Sequence, residues 1–347
     1  MTDAPRRLVV DLAATSKNWS LPAEGAAAIR AATPAGWEVH LATSSTTSDG
    51  DGGGGTAREV LEAVRDAEIY FGFGLSRELF RSAPRLRWVH SAAAGVASLL
   101  FDEVRTSPLL ITNSAGTMGE PIAEHVLGGV IFLLRSLDIA LDQQRRRVWD
   151  KAPFVGSGSS VRELSECRFL IVGTGGIGGE VARRLEALGA SCTGVRRRPH
   201  LGVPAGFQRV VGADALDEEL PRADVLVLAA PHTDATRGLI DGRRLDCLPP
   251  QAIVVNVARG LLLDEQALAE RVASGALRGA VLDVFREEPL AADSPLWSLK
   301  AVLLTPHVAA VSPRRFWTRE IELFLDNWSR YVEGRPLGNL VDKEAGY

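Results

Sequence analysis

The chain has 347 residues, 46% of them hydrophobic and 24% charged, with 39 Lys+Arg against 43 Asp+Glu. That length suits two domains of ordinary globular composition, and the near-neutral balance excludes a general nucleic-acid binder, which should be strongly basic. No apolar run approaches the roughly 20 residues needed to span a bilayer, and Asp11 cuts the run Leu8–Val10 too short for a signal peptide.

Over the first 115 residues, short apolar runs predict strands at Leu8–Asp11, Trp37–Leu41, Ile69–Phe71, Leu86–His90 and Leu109–Thr112. Helical patterns lie near Pro22–Ala32, Ala57–Ala67, Arg77–Arg81 and Val96–Val104. Such alternation predicts a parallel sheet with helices on both faces. Ser44–Gly55, almost all Ser, Thr, Asp and Gly, reads as a surface loop. Asp49-Gly-Asp51 resembles the start of a calcium loop, but Val60 stands where the closing Glu belongs, so no metal is expected.

One long helix is predicted from Pro121 to about Trp149. Its middle, Val126–Leu134, is apolar on all faces and should be buried between domains or in a subunit interface. Lys151–Ser160 holds Pro153, Gly156 and Gly158 and reads as a connecting loop. A second series of strands follows at Arg168–Val172, Ser191–Val195, Val225–Ala229, Ala252–Val257, Gly279–Val284 and Ala301–Leu304. The stretch from Ser312 reads as helix with a polar tail. Cys167, Cys192 and Cys247 are far apart and form no CxxC pair, which suits thiols in a reducing compartment, the cytoplasm, and no zinc site.

Gly173, Gly175 and Gly178 form GxGxxG. Alone the motif is weak, but here it leaves an apolar strand and opens an amphipathic helix (Val181, Leu185, Leu188). Gly173 permits the tight turn, Gly175 lets backbone approach a pyrophosphate, and Gly178 lets helix and strand pack closely. The helix start around Gly176 and Ile177 supplies N–H groups for phosphates. In an NAD site the next strand usually ends in an acid. Here it ends Val195-Arg196-Arg197-Arg198, and guanidinium groups can fork onto a 2′-phosphate. NADP(H) is therefore favoured over NAD(H).

Three further segments carry chemistry: Val255-Asn-Val257-Ala258-Arg259-Gly260, Leu282-Asp283-Val-Phe-Arg-Glu-Glu288-Pro289, and Leu304-Thr-Pro-His307. Each follows a strand, and ligands bind at the carboxyl ends of parallel strands. A cation, a carboxylate and an imidazole can converge there.

With these segments the chain resembles the D-isomer-specific 2-hydroxyacid dehydrogenases. Trp88-Val-His-Ser-Ala-Ala-Ala94-Gly95-Val, Asn113-Ser-Ala-Gly116, Ala123-Glu124-His125 and Ala230-Pro231-His232-Thr-Asp-Ala-Thr236 extend the resemblance over nearly the whole chain. It implies two doubly wound α/β domains with a cleft between them: a flavodoxin-like substrate domain, 1–115 plus 312–347, and a Rossmann cofactor domain, 116–311. It implies NAD(P)H-dependent, reversible reduction of a 2-oxo acid, such as glyoxylate, hydroxypyruvate or a bulkier one, to the D-(R)-2-hydroxy acid.

The same resemblance assigns roles. Arg259 grips the substrate carboxylate and polarises its carbonyl; His307 is the acid/base; Glu288 keeps it protonated near neutrality. Formate dehydrogenases of the family have Gln in place of Glu288, so formate is not expected as substrate. Asp283 holds the nicotinamide carboxamide, with a strand-end cap as the plainer alternative. Backbone N–H groups of Ala94 and Gly95 bind the carboxylate, although Ala97 departs from the family's loop. Ala230, Pro231, His232, Thr236, Val257 and Ala258 line the cofactor, and His307 touches it as well. For Trp149, Trp297 and Trp317 core or interface packing is favoured, with lining of the substrate pocket, one of them from a second subunit, as the alternative. A homodimer is implied. No regulatory domain is expected after Tyr347, which, with Arg196, disfavours the phosphoglycerate enzyme of serine synthesis. A dinucleotide-sensing binding protein of the same fold, or NAD-linked oxidation of another small acid, are the other readings.

Overall fold

The structure is a computed structural model that describes residues 5–44 and 56–346. Most of the expected surface loop, including Asp49 and Asp51, lies outside the described residues. The chain divides into two compact units, residues 1–118 with 312–347 and residues 119–311.

The first unit opens with β1 (Arg6–Asp11), α1 (Ala23–Ala31), β2 (Trp37–Leu41), α2 (Arg58–Ala63), β3 (Ala67–Gly72), α3 (Arg77–Ser82), β4 (Trp88–Ser91), α4 (Asp102–Arg105) and β5 (Leu110–Asn113). Its five strands are parallel in the order β2-β1-β3-β4-β5, the flavodoxin-like order. Leu8, Val10, Ile69 and Phe71 face one core, and Val9, Tyr70, Val89 and Ile111 face the other. Burial on both faces is why the strands read as continuous apolar runs. The helix expected over Val96–Val104 is interrupted: a 3-10 turn covers Ala97–Leu99, and Phe101 is extended before α4 begins. Leu99, Leu100 and Val104 all reach the core by this route.

The second unit contains α5 (Gly119–Leu134), α6 (Leu137–Arg146), α7 (Ala152–Val155), β6 (Arg168–Val172), α8 (Gly176–Ala187), β7 (Ser191–Val195), β8 (Arg209–Val211), α9 (Leu216–Glu219), β9 (Val225–Leu228), α10 (Gly242–Asp246), β10 (Ile253–Asn256), α11 (Glu265–Ala273), β11 (Gly279–Leu282) and β12 (Val302–Leu304). Its seven strands are parallel in the order β12-β11-β10-β9-β6-β7-β8, a Rossmann sheet extended by one strand.

Three expectations need correction here. The single helix Pro121–Trp149 is two helices, broken at Ser136, which has φ +51°. Buried Arg278 holds the break, donating to the Leu133 carbonyl at 2.9 Å and to the Asp138 carboxylate at 2.6 and 3.0 Å. The expected loop Lys151–Ser160 contains the single turn α7. The edge strand β8 carries only three residues, none fully buried, and so leaves no apolar run to read.

The chain then returns to the first unit as α12 (Phe316–Val332). Its Phe324 stacks on Phe71 with ring centroids 4.2 Å apart. Trp317 is buried in this same core, with its Nε1 donating to the Asn18 carbonyl at 3.1 Å. The tail pairs antiparallel with β5, where Val341 N–H donates to the Ile111 carbonyl at 2.8 Å. No helix among the described residues is long and apolar enough to cross a membrane.

Candidate active site

β10, β11 and β12 are neighbours, with Asn256, Leu282 and Leu304 level across the sheet. Their carboxyl ends therefore deliver Arg259, the Asp283–Glu288 loop and His307 side by side. Buried Asn256 shapes the first turn: its Oδ1 accepts from Ala258 N–H at 3.1 Å and its Nδ2 donates to the Arg259 carbonyl at 3.0 Å. Arg259 is half-buried, and its Nη1 donates to the Ala258 carbonyl at 2.7 Å.

Glu288 and His307 meet. Glu288 Oε2 lies 2.8 Å from His307 Nδ1, and Glu288 Oε1 accepts from Phe285 N–H at 2.9 Å. Both side chains are about one-third exposed, at 36% and 29%. Gly260 brings Arg259 and this loop together, because a Cβ there would stand 1.9 Å from the Phe285 carbonyl carbon. Glu265, at the start of α11, also anchors the loop by accepting from Arg286 N–H. Burial raises the Glu265 carboxyl above its ordinary range, against the Arg286 hydrogen bond and charge.

Asp283 is 2% exposed. Its Oδ1 accepts from Thr305 Oγ1 at 2.6 Å and Val308 N–H at 2.9 Å; its Oδ2 accepts from Ala309 N–H at 2.9 Å. Asp283 thus caps the turn after β12 and not the end of its own strand. His307 has φ +54°, a left-handed conformation that costs a non-glycine residue about 1–3 kcal/mol. Hydrogen bonds to a charged group contribute about 1.5–3 kcal/mol each, so three of them outweigh that strain.

The glycine motif forms a cradle. Gly173 has φ +99°, and its Cβ would stand 2.5 Å from the Ala229 carbonyl oxygen. A Cβ on Gly178 would lie 1.9 Å from the Gly173 carbonyl oxygen, while one on Gly175 would meet nothing within 4 Å. The backbone is packed tight below and open above. α8 starts at exposed Gly176 with no side-chain cap and no acid in its first turn, so the N–H groups of Gly176, Ile177 and Gly178 have no intrahelical partner. This donor set fits a pyrophosphate.

After β9, Ala230 is buried and Pro231 exposed. Thr236 Oγ1 donates to the Pro231 carbonyl at 2.7 Å and accepts from Thr233 N–H at 2.8 Å, so its hydroxyl shapes this loop. His232 Nε2 is buried and has no hydrogen-bond partner among the described residues. Burial first, then the charges of Arg237 and Arg259, hold its imidazole below the usual range. A buried ring nitrogen with nothing to bond, within reach of the Arg259 charge, is what an absent ligand would leave. Val257 and Ala258 are buried at the start of the Arg259 turn.

Past β7, Arg196 is half-buried, with Nη2 donating to the Gly202 carbonyl. Its Nε is buried and has no hydrogen-bond partner among the described residues. Arg197 and Arg198 are exposed.

In the first unit, Ala94 and Gly95 follow β4, half-buried. Asn113 Nδ2 donates to the Ala94 carbonyl at 2.7 Å and fixes that peptide. Trp149 is 91% exposed and Trp297 57%, whereas Trp317 packs in the core as described.

A model of the D-isomer specific 2-hydroxyacid dehydrogenase NAD-binding domain matches residues 127–309. This chain belongs to the D-isomer-specific 2-hydroxyacid dehydrogenases. It is similar to the (S)-sulfolactate dehydrogenase of Chromohalobacter salexigens, at 34% identity over 242 residues, 69% of this chain and 75% of that one. It is 33% identical over 276 residues to glyoxylate/hydroxypyruvate reductase A of Salmonella newport, 76% of this chain and 82% of that one. A D-isomer specific 2-hydroxyacid dehydrogenase from Xanthobacter autotrophicus Py2, solved with NADPH and MES, matches 99% of this chain and 100% of its own, with a TM-score of 0.79 and 29% identity. The chain spans 47% of the mycobacterial D-3-phosphoglycerate dehydrogenases it matches. As a 2-hydroxyacid dehydrogenase it is an NAD(P)-dependent oxidoreductase acting on 2-oxo and 2-hydroxy acids.

Sequence reasoning did not single out Asn256, Gly260, Glu265 or Thr305. Gly260 and Thr305 were visible as neighbours of Arg259 and His307. Glu265 left no signal, since its partner Arg286 is distant in the chain.

Proposed function

We propose that the protein reduces a 2-oxo acid to the D-(R)-2-hydroxy acid with NADPH, with Arg259, Glu288 and His307 as its catalytic group. The observation that carries this reading is the 2.8 Å contact between Glu288 and His307 Nδ1, on strand ends beside Arg259. Bound NADPH would supply a hydride to the carbonyl carbon from its nicotinamide. Arg259 binds the substrate carboxylate and turns the carbonyl toward attack. With Nδ1 committed to Glu288, proton transfer to the carbonyl oxygen falls to His307 Nε2. Asp283 Oδ2, with one donor, keeps a lone pair for the carboxamide. In the first unit, the Ala94 and Gly95 N–H groups are offered to a carboxylate.

Gly173, Gly175, Gly176, Ile177 and Gly178 hold the pyrophosphate; His232 and its loop hold the nicotinamide side. Arg196, Arg197 and Arg198 take the 2′-phosphate, where an NAD site would present an acid. Arg196 contributes the guanidinium donors not turned to Gly202.

The assembly we propose is a homodimer through the exposed apolar side chains of α5 to α7: Ile131, Leu137, Leu141, Val148, Trp149 and Val155. The free cysteines suit the reducing cytoplasm.

Absorbance at 340 nm with NADPH or NADH, and 2-oxo acids from glyoxylate to phenylpyruvate, tests the reading. Rapid NADPH loss with one acid supports it and names the acid. NADPH binding without turnover on any acid would favour a dinucleotide sensor.

A further inference from the structure

α5 touches the catalytic strands through a glycine. A Cβ on Gly129 would stand 2.6 Å from a Val281 methyl, so the bare residue lets this helix lie close on β11. His125 precedes Gly129 by four residues and shares its helix face. Four helical residues rise about 6 Å and two strand residues about 6.6 Å. The helix therefore runs against the strand and carries His125 to the level of Asp283. There His125 Nε2 lies 3.2 Å from Thr305 Oγ1, which lies 2.6 Å from Asp283 Oδ1.

Counting protons gives these contacts a direction. The carboxylate of Asp283 only accepts, so the Thr305 hydroxyl donates to it. The hydroxyl oxygen then accepts from His125, whose Nε2 must carry hydrogen. The order is His125 Nε2–H to Thr305 Oγ1–H to Asp283 Oδ1. Asp283 passes the constraint on through the N–H groups of Val308 and Ala309, each 2.9 Å away, to the turn that holds His307 at φ +54°.

We propose that His125 and Thr305 are positioning residues for His307, acting through Asp283. The inference rests on His307 being the acid/base. Without the Thr305 hydroxyl, the Asp283 carboxylate loses one of its three donors, the other two being backbone N–H groups, and it can rotate about χ2, a broad torsion. The turn then has a looser hold on the imidazole. A misplacement of about 1 Å can cost about 100-fold in rate.

The test compares T305V, T305S, H125L, H125Q and H307A in the full chain, reading kcat with NADPH and the most active 2-oxo acid. NADPH affinity is read by fluorescence, and amide hydrogen exchange at Val308 and Ala309 is followed without cofactor. T305V and H125L should lower kcat at least tenfold and speed exchange at those two amides, with any loss of NADPH affinity clearly smaller than the loss of kcat. T305S and H125Q, which keep a hydroxyl and an Nε2-like donor, should stay within threefold of wild type. If H307A is inactive while T305V and H125L turn over normally, the positioning role is wrong and the acid/base reading stands. If NADPH affinity falls in step with kcat, the pair serves the cofactor and the proposal is overturned. If H307A keeps its turnover, the acid/base reading itself fails.

Discussion

Glu288 holds His307 with one oxygen and is itself held by Phe285 N–H through the other. The imidazole is thus oriented by a carboxylate that cannot rotate without losing a bond. Replacing His307 with Ala should reduce kcat about 100- to 10,000-fold, the usual contribution of a positioned acid or base. NADPH affinity should be unchanged, as measured by fluorescence titration.

Gly260 sits where any side chain collides with backbone. In G260A the new Cβ would stand 1.9 Å from the Phe285 carbonyl carbon, and the loop carrying Glu288 must move. Thermal unfolding should report a loss of about 2 kcal/mol or more. Below the melting range, kcat should fall at least tenfold; a variant with wild-type kcat would separate Gly260 from the site.

Arg196→Asp places a carboxylate where the 2′-phosphate should lie. Loss of one charge-assisted contact is worth about 1.5–3 kcal/mol, or about 10- to 100-fold in NADPH KM. KM for NADH should fall. An unchanged preference would leave recognition to Arg197 and Arg198.

Glu59 on α2 predicts a pH effect. The Ser44 hydroxyl, together with the Thr43 and Ser44 N–H groups, holds its carboxyl down at about 2, against an ordinary 4.5. A depressed folded value means that its stabilisation is present above about pH 4.5 and lost as pH falls toward 2. E59Q should therefore melt below wild type at pH 7, and the difference should shrink as the buffer is acidified.

Trp149 bears on assembly. At 91% it is the most exposed of the apolar side chains between α5 and α7. Sedimentation equilibrium should find a dimer for wild type and a shift toward monomer for W149E. Dimers of equal strength in both would move the interface elsewhere.

Local signals located what local physics determines. Trp37–Leu41, Arg168–Val172 and Ser191–Val195 are bounded in the structure as their apolar runs predicted. The fingerprint glycines occupy the tight turn and close packing their spacing implied. Where partners come from afar, spacing was silent. Arg278 reaches back across 140 residues to Asp138 and holds the break at Ser136. Glu265 meets a backbone N–H 21 residues away. Asp283 was legible as a strand-end acid, but not as the cap of the His307 turn, because its donors lie after another strand.

On the roles proposed for Arg196 and His307, the strand order separates two tasks. Arg196 follows β7 and His307 follows β12, five strands away in the sheet, a span of about 24 Å at ~4.8 Å per strand. Substitutions that far apart act almost independently. Electron-donor choice can therefore drift between relatives, adapting to whichever reduced pool a cell keeps, while proton delivery stays untouched. Exchange of one turn could move such an enzyme from one metabolic economy to another in few evolutionary steps.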